Sequence, residues 1–165
     1  MSETHETIHI AKTKAACGLC EDFAAREAAK PVVVMACEGA CLRGELARLT
    51  ANYLCDEFAP ENTARLCLGG AFTKDTGQRN LARQALRVVA IEGCPIACAT
   101  RMMQGVLPEL TPEVFMIPQL TTFDPGLFSI KEMPEAERKA QASQAARAIA
   151  KGLEVAHLEG PPRCH

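Results

Sequence analysis

The chain has 165 residues, 48% of them hydrophobic and 23% charged, with a formal net charge of −2. That mixture is ordinary for a folded domain and excludes disordered, collagenous and coiled-coil chains. The charge leaves no basic footprint for nucleic acid, and a composition of Phe 6, Tyr 1 and Trp 0 offers little for a base-stacking platform.

No run approaches the roughly 18 apolar residues of a membrane span. The opening MSETHETIHI lacks the basic, apolar and small-residue zones of a signal peptide. A cytoplasmic protein is expected, with neither nucleic acid nor membrane as partner. The length predicts one α/β domain over 1–165.

Residues 1–30 read as an N-terminal extension. The TIHI stretch around His9 alternates weakly like a strand. Cys17-Gly-Leu-Cys20 follows, then EDFAAREAAK, a helix closed by Pro31, because a proline disfavours helix in the residue before it. Val32–Ala36 is a continuous β-branched run, the pattern of a strand buried on both faces. From Leu42 to Phe58 the apolar spacing is helical. Ala64–Leu68 reads as a second strand closed by Gly69-Gly70, and Gln78–Leu86 as a helix. Val88–Ile91 is a third strand, followed by a helix that starts near Pro95. Val114–Ile117 is a fourth strand, 118–133 is irregular, and 134–152 is an Ala-rich helix stopped by Gly152. Alternating strand and helix predict a three-layer α/β/α fold with a mostly parallel sheet of about four strands.

Nine cysteines are the unusual feature: 17, 20, 37, 41, 55, 67, 94, 98 and 164. In a reducing compartment, clustered cysteines are metal ligands or redox thiols more often than bridges. Cys37, Cys67 and Cys94 fall at three successive strand ends, which in a parallel sheet share the ligand-binding edge. Cys37 with Cys41, and Cys94 with Cys98, are C-x3-C pairs within metal-ligand spacing. Cys94 is expected at a helix start with Cys98 one turn later, where the helix N-terminus favours thiolates. Thiolates at this edge suit tetrahedral zinc, or an iron–sulfur cluster. The bland alternative is that each cysteine is a small core hydrophobe.

The segments Cys37-Glu-Gly-Ala-Cys41-x2-Gly44, Cys67-Leu-Gly-Gly70 and Ile91-Glu-Gly-Cys-Pro-Ile-Ala-Cys98 resemble the DGC-domain family over about residues 32–120, within an expected core of 31–120. The resemblance implies a zinc site made by Cys37, Cys67, Cys94 and Cys98. The aspartate that names the family is Glu92 here. Cys41 is an added thiol and Glu38 an added carboxylate, so Cys41 joins the candidate ligands.

Cys17 and Cys20 form a second constellation: a second metal site, with Cys55, Cys164 or His165 as further ligands, a redox dithiol, or an inert pair. Lone His5, His9 and His157 read as surface or structural. Arg79, Arg83 and Arg87 read as a solvated stripe rather than an anion patch, and Met102-Met103 as packing rather than soft ligands. Gly39 and Gly44 suit either a tight strand–helix turn or backbone N–H groups facing a small-molecule or anionic ligand. No Ser-His-Asp order, phosphate-loop lysine motif or GxGxxG is present. The expected function is therefore metal binding. A catalytic variant would use the thiolates, the metal, or Glu38 and Glu92. A redox or iron–sulfur module on the same cysteines is the other alternative.

Overall fold

A computed structural model describes the backbone of residues 6–158 and the side chains of 6–153. His5, Cys164 and His165 lie outside the described residues, and the side chain of His157 lies outside the described side chains. The chain runs α1 (Gly18–Glu27), β1 (Val32–Ala36), α2 (Leu42–Tyr53), a π-helical turn (Leu54–Phe58), β2 (Thr63–Arg65), α3 (Leu68–Thr73), α4 (Gly77–Gln84) and β3 (Arg87–Glu92). Then come α5 (Cys98–Val106), β4 (Glu113–Met116), α6 (Ile117–Leu120), a 3-10 turn (Ile130–Glu132) and α7 (Glu135–Leu158).

The four strands form one parallel sheet in the order β2-β1-β3-β4. Val33 stands level with Ala64 on one side and Val88 on the other, and Ala90 is level with Val114. Burial explains the apolar runs. Every residue of β1 is buried, because both faces of the sheet are covered. Val32, Val34, Val89 and Ile91 face Leu42, Leu46, Ala142 and Ile149, beneath α2 and α7. Val33, Met35, Val88 and Ala90 face Ala24, Leu81 and Met103, beneath α1, α4 and α5. Met103 is thus core, and the α/β/α layering is as the periodicity predicts.

The differences from the sequence reading have local causes. The stretch around His9 is exposed and forms no strand. β2 stops at Arg65, and Gly69-Gly70 lies inside α3 instead of closing a strand. α3 is held from outside: Arg79 donates to the carbonyls of Ala71 at 2.7 Å and Phe72 at 2.9 Å. Arg87 begins β3 and pairs with Glu113 on β4 at 2.7 and 2.8 Å, and Arg83 pairs with Asp75 at 3.0 Å. The three arginines are therefore partnered rather than a solvated stripe. α7 runs through Gly152 to Leu158, since one helical glycine costs only about 1 kcal/mol.

Cys55 sits in the π-helical turn, 5% exposed. Burial, only partly offset by hydrogen bonding with Thr63, pushes its thiol from 9.0 up to about 11. An acid raised in the folded state keeps its proton after the unfolded chain has lost it. Stability is therefore complete below about pH 9 and declines as pH rises toward 11, by at most about 3 kcal/mol. Cys55→Ala should remove that part of the alkaline decline, read as urea midpoints compared with wild type across this range. Parallel curves would show that Cys55 is not responsible.

Candidate functional site

The sheet order reverses between β1 and β3, and the loops leaving these strands stand at the crevice position, outside the C-terminal strand ends, where open parallel sheets bind ligands. Cys37 leaves β1 with its N–H donated to Ile91 of β3 at 2.9 Å, so it is tied to both strands. It is buried, at 7% exposure. Desolvation pushes its thiol pKa up; the N–H groups of Gly39 and Gly93 pull the other way, and neighbouring Cys98 and Glu92 add to the rise.

Cys41 caps α2 from the same loop, its Sγ accepting the Gly44 N–H at 3.4 Å. A Cβ at Gly39 would lie 3.6 Å from Cys37 Sγ and 3.7 Å from Cys41 Sγ, so the bare backbone there is a cradle between two thiols. A Cβ at Gly44 would fall 2.6 Å from the Gly39 nitrogen, and one at Gly93 would fall 2.9 Å from the Arg43 carbonyl carbon. The start of α2 and the two strand-end loops touch backbone to backbone, and only glycine permits it. The close approach, not an anion site, accounts for Gly44.

Cys98 is the first residue of α5, preceded by Ala97 at a left-handed φ of 51°. The helix was expected to start near Pro95. Instead Cys94, Pro95 and Ile96 form a turn in which the Ala97 N–H returns to the Cys94 carbonyl at 3.1 Å. The cause is Glu92. Its fully buried carboxylate accepts from the Thr100 N–H at 2.7 Å, the Thr100 hydroxyl at 2.8 Å and the Ala99 N–H at 3.4 Å. Those are orphan donors of a helix beginning at Cys98, and the carboxylate fixes the start there. Glu92 is thus a helix cap, a role not foreseen when it was read as an acid beside the metal. Cys94 is half-buried in the turn.

Cys67 precedes α3 and is exposed, and it lies with Cys20, and with Glu38 of the 37–41 loop, in the wall of an open cleft. Cys17 caps α1, which begins at Gly18, so Cys20 sits in the first helical turn rather than before it. Burial first, then the nearby Cys67 and Cys17 thiols, push the Cys20 thiol pKa up. The expected convergence of Cys37, Cys67 and Cys94 therefore becomes two thiol groups. One is Cys37, Cys41 and Cys98 about the crevice, with Cys94 at its rim; the other is Cys17, Cys20 and Cys67. Among the described residues no three His, Cys, Asp or Glu side chains are gathered as a metal shell. The soft donors and the Gly39 cradle suit a thiophilic metal.

A parallel α/β sheet with thiols at its reversal point defines the class of domain. The model of the DGC domain matches residues 33–125, more than half of the chain, and the chain belongs to the DGC-domain family. Comparison with curated proteins and with solved structures gives no match. No helix among the described residues is long and apolar enough to cross a membrane.

Proposed function

We propose that this protein binds a thiophilic metal ion, zinc, at the crevice between β1 and β3 through Cys37, Cys41, Cys94 and Cys98. The observation that carries the reading is the buried Cys37 thiol, flanked by Cys41 across Gly39 and neighboured by Cys98. Two C-x3-C pairs supply four thiolates, which suits a closed tetrahedral zinc site. Zinc bound there would hold two strand-end loops and two helix starts together. Binding rather than turnover is the role favoured by a donor set that leaves no open position. A reducing, cytoplasmic setting would keep these thiols free to act as ligands.

Anaerobically purified protein should carry about one zinc per chain by elemental analysis. Cys37→Ser and Cys98→Ser should lose most of it, while Cys67→Ser keeps it. Unchanged metal in Cys37→Ser and Cys98→Ser would sink the reading. Loss in Cys67→Ser equal to that in Cys37→Ser would replace this ligand set with the one that includes Cys67. A brown, iron-bearing protein would replace zinc with a cluster.

A further inference from the structure

The second thiol group faces an open cleft of about 540 Å³, whose wall includes Cys20, Cys67, Gln78, Asn52, Arg48 and Arg65. Gln78 explains why residues so distant in sequence meet. It is 2% exposed, and its side-chain oxygen accepts the Cys67 N–H at 3.0 Å while its amide donates to the Cys20 carbonyl at 3.2 Å. A single buried amide therefore clamps both cysteine backbones. The clamp is braced: Glu21 accepts the Gly77 N–H at 2.9 Å, and a Cβ at Gly77 would fall 2.9 Å from that of Ala24. α1 is thus seated closely on the start of α4. On the other side, Gly70 leaves room beneath the Cys67 sulfur, where a Cβ would come to 3.2 Å. Buried polar clamps of this kind fix one geometry, because an unmet hydrogen bond there is costly.

We propose that Cys20 and Cys67 are a redox-active dithiol that exchanges with a small zwitterionic peptide disulfide bound in the cleft. The wall carries both signs of charge, Arg48 and Arg65 with Glu38 and Asp56, and Arg65 is paired with Glu38 at 2.5 Å. That mixture suits a ligand bearing ammonium and carboxylate groups together. Exposed Cys67 acts first. It gives its proton to water, and its sulfur attacks one sulfur of the disulfide. The S–S bond breaks, and the leaving thiolate takes up a proton. Cys20 then loses its proton and attacks the Cys67 sulfur of the mixed disulfide. The Cys20–Cys67 bond forms, and the second thiolate leaves and is protonated. Two electrons pass from the protein to the disulfide, which becomes two thiols. The order follows the geometry: Cys67 is exposed at the cleft, while Cys20 is partly covered and reaches the mixed disulfide from the same wall.

The full chain is incubated with oxidised glutathione over a series of oxidised-to-reduced ratios and mapped by non-reducing mass spectrometry. A Cys20–Cys67 linked peptide should be the main product, with loss of two thiols and no lasting adduct. Cys20→Ser should trap glutathione on Cys67, and Cys67→Ser should give neither product. A dominant Cys17–Cys20 bond, or a glutathione adduct that persists on Cys67 in the wild type, would overturn the proposal. Metal content measured on the same Cys20→Ser sample separates this outcome from that of the crevice. Wild-type zinc alongside a trapped adduct supports both readings independently.

Discussion

Gly44→Ala should lower the unfolding free energy by about 3 kcal/mol, the upper part of the range for overpacked sites. Two opposing effects decide the sign. Alanine in place of a helical glycine gains about 1 kcal/mol of propensity. Against that, the new Cβ would meet the nitrogen and oxygen of Gly39 at 2.6 Å and its Cα at 2.7 Å. These are backbone atoms, so no rotamer change relieves the overlap, and the 37–41 loop has to move as a unit. Because that loop carries Cys37 and Cys41, the substitution should also reduce the zinc content proposed for the crevice. Gly152→Ala is the control. Nothing lies within 4 Å of its Cβ, so it should be neutral or stabilising by up to about 1 kcal/mol. Chemical denaturation of both variants reads the contrast. A Gly44→Ala protein as stable as wild type would mean that the two loops do not approach as closely as described.

Glu92→Ala should cost a similar amount, about 3 kcal/mol, by a different route. The carboxylate is fully buried and serves the Ala99 N–H, the Thr100 N–H and the Thr100 hydroxyl. Removing it leaves those donors without their acceptor, and each unsatisfied buried group costs roughly 1–3 kcal/mol before relaxation. Glu92→Gln keeps one acceptor but turns an N–H₂ toward donors, so it should fall between wild type and alanine. Thermal unfolding of the three proteins should rank them in that order. If Glu92→Gln and Glu92→Ala were equally mild, the capping account would fail. The same variants test the link to the crevice, since the carboxylate sets the start of α5 and so the position of Cys98.

The parts of the fold that were legible are those where one residue pattern has one cheap solution. Val32–Ala36 is a run of apolar, largely β-branched residues, and it forms the doubly buried central strand as read. The spacing from Leu42 onward reads as a helix because Leu42, Leu46 and Leu54 all reach the core. The position of Cys37 directly after the first strand was equally readable. What was not legible depends on side-chain partners that spacing and turn signals do not announce. Gly69-Gly70 looks like a strand stop, and nothing local reveals that Arg79 will cap a helix there. Pro95 is a fair helix-start signal, but the buried carboxylate of Glu92 outweighs it by offering its oxygens to a later turn. Gln78 looks like an exposed polar residue on a helix. Its burial follows from the docking of α1, which has no signature in composition or spacing.

The layer beneath α2 and α7 has an implication for the growing chain. Ala142, Ala146 and Ile149 of α7 cover a face of the sheet that also carries Val32, Val34 and Ile91. During synthesis from the N-terminus, the strands and the whole family-matching segment emerge before α7 exists. A nascent chain that stops after β4 would present a half-covered apolar face, with the crevice cysteines beside it. Such intermediates are prone to stick to one another or to recruit folding helpers until the missing element arrives. The last helix thus acts as the keystone of assembly: it contributes no cysteine among its described residues, yet the face next to the crevice remains open until it docks.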